Sequence, residues 1–134
     1  MLRGSTDRGS VVDNFNARHP GGFVCAIDLD TGTLGPAYAG AAPLDPLPSN
    51  PLTGSAFAGV VLPHWRDALA VCCRLHDASG APPEVGWDVA LTAAGPVLLE
   101  ANVTSDHVAI QAVNDTAHGR RLYRECLAAW LGYA

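Results

Sequence analysis

The sequence contains no lysine: its eight basic residues are all arginine, against thirteen acids, for a net charge of −5. That absence removes P-loop and Schiff-base chemistry, both of which need a lysine amine. Apart from Arg120, Arg121 and Arg124 the arginines form no stripe, and a basic helix end accounts for that trio. No nucleic-acid partner is expected. Cys25, Cys72, Cys73 and Cys126 include no C-x-x-C pair, and the five histidines show no H-x-x-x-H spacing. Zinc-type sites are thereby excluded, and the cysteines read as reduced core thiols. No apolar run approaches the roughly 18–20 residues that span a bilayer. Met1–Ser5 has no apolar stretch behind Arg3 and is not a secretory signal. The expectation is a soluble, cytoplasmic protein with no membrane partner.

What is present is enough for one hydrophobic core. The chain has 134 residues, 49% apolar and 16% charged, which excludes a charged disordered tail. Residues 1–10, rich in Gly, Ser and Arg, are expected to be a mobile N-terminal segment, and 11–134 the domain. Phe23, Cys25, Ile27 and Leu29 alternate with Val24, Ala26, Asp28 and Asp30, which predicts a strand over 22–29. Asp30-Thr31-Gly32 is a turn signal, with a return strand over 33–39. Four prolines between 41 and 55 predict an extended loop. Trp65, Ala68, Leu69, Cys72 and Leu75, between Pro63 and Gly80, predict a helix over 64–77. Strands over 85–92 and 97–102 form a hairpin around Ala94-Gly95-Pro96. A short helix over 105–113 and a C-terminal helix from about 117 follow. The fold class is α+β, an antiparallel sheet with flanking helices.

The hairpin carries the chemistry. Glu100 and Asn102 are two apart and share a strand face. A loop of three or five residues places Asp88 directly across from Glu100, whereas a four-residue loop puts the two on opposite faces. Opposed carboxylates repel, and a divalent cation removes the repulsion. Two carboxylates and an amide carbonyl are hard oxygen donors, suited to Mg²⁺ completed by phosphate and water. Glu100 follows Val97-Leu98-Leu99, a run that looks buried, where an unpaired acid is costly. Solvated residues on an open face are the competing reading. Asp28 and Asp30 are explained by their turn, and Trp65 and Trp87 read as core anchors.

Leu98-Leu99-Glu100-Ala101-Asn102, with Asp88 on the preceding strand, resembles the metal-binding signature of the ATP-grasp superfamily. More of the chain resembles the sugar-transfer-associated, alpha-L-glutamate ligase-like branch. The pieces are Val12-Asp13-Asn14-Phe15, Gly21-Gly22, Ile27-Asp28-Leu29-Asp30-Thr31-Gly32, Leu62-Pro63-His64-Trp65, Val85 to Thr92 and Gly95 to Asn102. The resemblance implies the C-terminal half of an ATP-grasp domain, binding ATP and Mg²⁺. Asp88, Glu100 and Asn102 would hold metal, and Asn14 and Arg18 would lie on the nucleotide side. It implies an ATP-dependent ligase joining a small carboxylate substrate to an amine through an acyl-phosphate. Three departures stand out: Arg18-His19-Pro20 looks inserted, Gly86 replaces a common basic residue, and Val103-Thr104-Ser105-Asp106 replaces an aromatic-Asp step.

The family's glycine-rich loop and phosphate-binding lysines have no counterpart in this lysine-free sequence. The resemblance therefore implies an incomplete site, completed by a partner chain or a longer polypeptide. An apolar sheet face left open by the missing half is expected, with self-association as its consequence. The alternative is a non-catalytic, truncated remnant that acts as a binding module or partner subunit. A plain α+β domain with solvated acids is the third reading.

Overall fold

The computed structural model describes residues 1–9, 21–40, 45–82, 84–103, 109, 110, 113, 124, 125, 128, 129, 131 and 132. These belong to two compact units. The first is Met1–Leu62 with Asp106–Gly119, and the second is Pro63–Ser105 with Arg120–Ala134. No helix among the described residues is long and apolar enough to cross a membrane.

The first unit is built on an antiparallel sheet in the order β1 (Leu2–Ser5), β2 (Gly22–Ile27), β3 (Leu34–Ala39), β4 (Asp45–Pro46). Part of the segment expected to be mobile is thus a strand. Leu2 pairs with Cys25 and Ser5 with Gly22, and the apolar β2 gives β1 a ladder to complete. β2 lies inside the sheet with both faces covered. Val24 packs in one cluster with Ala109, Val113, Ala26 and Tyr38. Phe23, on the other face, stacks on Phe57 with ring centroids 4.9 Å apart. Burial on both sides explains why 23–27 is apolar at every position rather than alternating.

β2 turns back into β3 through a loop headed by Asp28. Asp28 Oδ1 accepts from the Asp30 amide (3.1 Å), the Thr31 amide (2.8 Å) and the Thr31 hydroxyl (2.8 Å). This is the Asx turn that Asp favours, so the acid here serves the turn, as its sequence setting implied. In β3, Cys25 pairs with Ala37 but Ile27 with Leu34, so Gly35 and Pro36 together oppose Ala26. The irregularity accommodates a proline, which has no N–H to give a regular ladder.

The second unit begins with α1 (Trp65–Ser79). Pro63 precedes it, Gly80 ends it in the left-handed region at φ 60°, and Ala68 is its buried contact. The hairpin β5 (Gly86–Thr92) and β6 (Gly95–Asn102) follows as a separate two-stranded sheet, and α1 packs on both strands. The expected helices over 105–113 and beyond 117 lie largely outside the described residues.

Candidate metal and nucleotide site

The β5–β6 loop is shorter than expected. Thr92 pairs with Gly95, leaving only Ala93 and Ala94 between the strands. The Thr92 hydroxyl donates to the Gly95 carbonyl (2.8 Å) and accepts from the Ala94 amide (3.2 Å). Gly95 takes φ 117°, a conformation that favours glycine.

From the turn, the ladder runs Leu91–Pro96, Ala90–Val97, Val89–Leu98. A loop with an even number of residues would continue this register and put Leu99 opposite Asp88. Instead the register shifts after Val89, and Asp88 pairs with Glu100, Trp87 with Ala101 and Gly86 with Asn102. Leu99 is the extra residue of a β-bulge. Asp88 and Glu100 therefore meet as the sequence suggested, but through a bulge rather than an odd-numbered loop.

The face they occupy follows from Trp87. Its ring meets that of His76 on α1 edge-on, with centroids 6.4 Å apart and planes at 74°. Side chains alternate along a strand, so Asp88 belongs to the face turned away from α1. Glu100 shares that face by register, and Asn102 by its spacing of two. Gly86, opposite Asn102, contributes no side chain.

The strand itself is open. The run from Val97 to Ala101 is exposed, with Leu99 at 67% and Val103, just beyond β6, at 73%. Glu100 is thus not in a buried strand, contrary to the reading from its apolar neighbours. Val97, Leu98, Leu99 and Val103 are exposed along the segment that carries Glu100.

Among the described residues no group of three or more His, Cys, Asp and Glu could hold a metal ion. A cation at the hairpin would depend on two carboxylates and the Asn102 amide oxygen. That hard, oxygen-only and incomplete donor set suits Mg²⁺, which keeps positions for phosphate oxygens and water. Asn14 and Arg18, expected on the nucleotide side, lie outside the described residues. At the start of α1, His64 adopts a left-handed conformation (φ 54°), and its Nδ1 lies 3.5 Å from the Asp67 carboxylate. The sequence offered no sign of that conformation.

The cysteines divide by environment. Cys25 is fully buried, its Sγ donating to the Gly35 carbonyl at 3.4 Å, and burial pushes its thiol up. Cys72 is half-buried and Cys73 exposed, so the core reading holds for Cys25 and fails for Cys73.

The model of the sugar-transfer associated ATP-grasp family matches residues 1–125. The chain belongs to that family. No curated protein and no solved structure matches it. The match spans both compact units and the whole β5–β6 hairpin. The α+β architecture of antiparallel sheets and a helix is compatible with part of an ATP-grasp domain. Membership gives this ATP-grasp protein a general chemistry, nucleotide-dependent and ligase-like, without specifying its reaction.

Proposed function

We propose that the β5–β6 hairpin is the magnesium end of a nucleotide site, serving a ligase that joins a carboxylate to an amine through an acyl-phosphate. The observation that carries this reading is the register: Asp88 opposite Glu100, with Asn102 on the same face. When bound there, Mg²⁺ would act as a Lewis acid and a template for the nucleotide phosphates. Asp88 and Glu100 supply the negative charge that retains the cation, and Asn102 supplies a neutral oxygen. The open face of β6 leaves room for the phosphates. Arg18 would neutralise phosphate or acyl-phosphate charge, and Asn14 would contact the nucleotide. Catalysis by this set would be positioning and electrostatics rather than proton transfer.

The same chemistry sets a limit. A tetra-anionic nucleotide needs cationic side chains around its phosphates, and this sequence has no lysine and a net charge of −5. We infer that the remaining cations come from another polypeptide segment or a partner chain. A second reading, a non-catalytic binding module, draws on the same absence of lysine. Calorimetric titration of the chain with a non-hydrolysable ATP analogue, with and without Mg²⁺, tests the proposal. Weak, Mg²⁺-dependent binding lost in Glu100→Gln is expected; metal-independent binding, or none with Mg²⁺ present, counts against it. ATP turnover by the chain alone, abolished by Glu100→Ala, would show that no second component is needed.

A further inference from the structure

The carboxylate pair depends on a break in the ladder that offers no ligand. From Gly95 to Leu98 the ladder follows the two-residue loop. Continued regularly, it would set Leu99 across from Asp88 and Glu100 across from Trp87. Glu100 would then occupy the face on which Trp87 meets His76, and Asn102 would move with it. The bulge at Leu99, which loops that residue out of the ladder, prevents this. At 67% exposure, the Leu99 side chain is mostly in solvent and is not held in place by burial. Its contribution to the hairpin is its backbone.

We propose that the bulge at Leu99, and not the Leu99 side chain, sets the cation site: it absorbs the extra residue of β6, so that Glu100 and Asn102 share the face of Asp88. The inference rests on the reading that this pair holds a divalent cation. Bulges re-aim side chains where a regular ladder would point them elsewhere, and a slip of one residue exchanges the two faces of a strand. Here the two effects cancel: the even loop turns the acids apart, and the bulge turns them together.

The register makes an unusual demand on mutants. Deleting Leu99 leaves a regular ladder in which Glu100 is still opposite Asp88 and Asn102 opposite Gly86. Leu99→Gly keeps the extra backbone unit and removes the side chain. Both variants, as full chains titrated calorimetrically with Mg²⁺ alone, should bind within about threefold of wild type. The opposite outcome is expected when the regular register is imposed without touching a ligand. A disulfide between Gly86→Cys and Ala101→Cys, with Cys72, Cys73 and Cys126 replaced by Ser, joins positions opposed only in the unbulged ladder. Oxidised, that variant should lose at least about tenfold in Mg²⁺ affinity, the usual scale for disturbing a metal site's support; reduced, it should recover. A packing role for Leu99 would make the deletion harmful and the disulfide neutral. A folded deletion or Leu99→Gly variant that no longer binds, or an oxidised variant that binds as well as its reduced form, overturns the proposal. Wild-type affinity in Glu100→Gln would overturn the cation site itself.

Discussion

Asp88 and Glu100 face each other across β5 and β6 even though the Ala93–Ala94 loop begins a register that pairs Asp88 with Leu99. Two acids at one cross-strand position repel, and the proposed cation site makes the effect of that pair testable.

Mg²⁺ should stabilise the folded chain by mass action. At ten times the dissociation constant the gain is about 1.4 kcal/mol, or roughly 5 °C in Tm for a chain of this size. Glu100→Gln should reduce the response to less than half while leaving the metal-free Tm unchanged or slightly raised. Thermal melts across an Mg²⁺ series, matched for ionic strength, make the comparison. Equal responses in the two proteins would indicate a general salt effect.

Gly4 is held to glycine by Phe23. A Cβ at Gly4 would lie 2.5 Å from Phe23 Cζ, and that ring is buried and stacked on Phe57. To admit the methyl group the ring must shift within a buried, packed site. Gly4→Ala should therefore cost about 1–3 kcal/mol, the range for overpacking a closed core. Urea denaturation reads the loss, and Phe23→Leu in the same background should restore part of it.

The Asp28 carboxylate sits below its ordinary pKa of 3.8, first through the Thr31 hydroxyl and then through the Thr31 and Asp30 amides. A depressed pKa in the folded state means that the group stabilises the fold above its unfolded value. The contribution is complete above pH 3.8 and is lost as pH falls through the folded value. Asp28→Asn should flatten the stability curve in that acidic window and lower stability above it, because the neutral amide keeps an acceptor for the turn but not the charge that strengthens its hydrogen bonds. NMR titration of Asp28 with parallel denaturation checks both the direction and the window.

Thiol labelling should separate the cysteines by environment. Cys73 is exposed and should react with a neutral disulfide reagent as an accessible thiol. Cys25 is fully buried, and burial raises its pKa. It should label at least about a hundredfold more slowly, at a rate that follows opening of the β1–β3 sheet. Comparable rates for the two would mean that β2 is not the closed strand described above.

Much of the fold is legible locally because the cues are local. The apolar run from Phe23, the Asp28 turn, and Pro63 and Gly80 around α1 each act through residues within a turn or two. The shared face of Glu100 and Asn102 was legible too, since the two lie two apart in one strand. The left-handed His64 was not, because nothing in its neighbours demands it.

By itself, then, the sequence determined β2, the Asp28 turn, α1 and the β5–β6 hairpin with its oxygen-bearing side chains, but not β1 or β4. Tertiary structure decided what faces what. Periodicity defines two faces of a strand without saying which is covered: β2 is buried on both, whereas β6 is exposed along most of its length. Register is similarly open, since the parity of the Ala93–Ala94 loop and the bulge at Leu99 together choose the partner of Asp88. A slip of one residue preserves every local propensity and reverses every face. Only packing distinguishes the two arrangements, and here Trp87 against His76 marks the covered side and leaves the acids on the other.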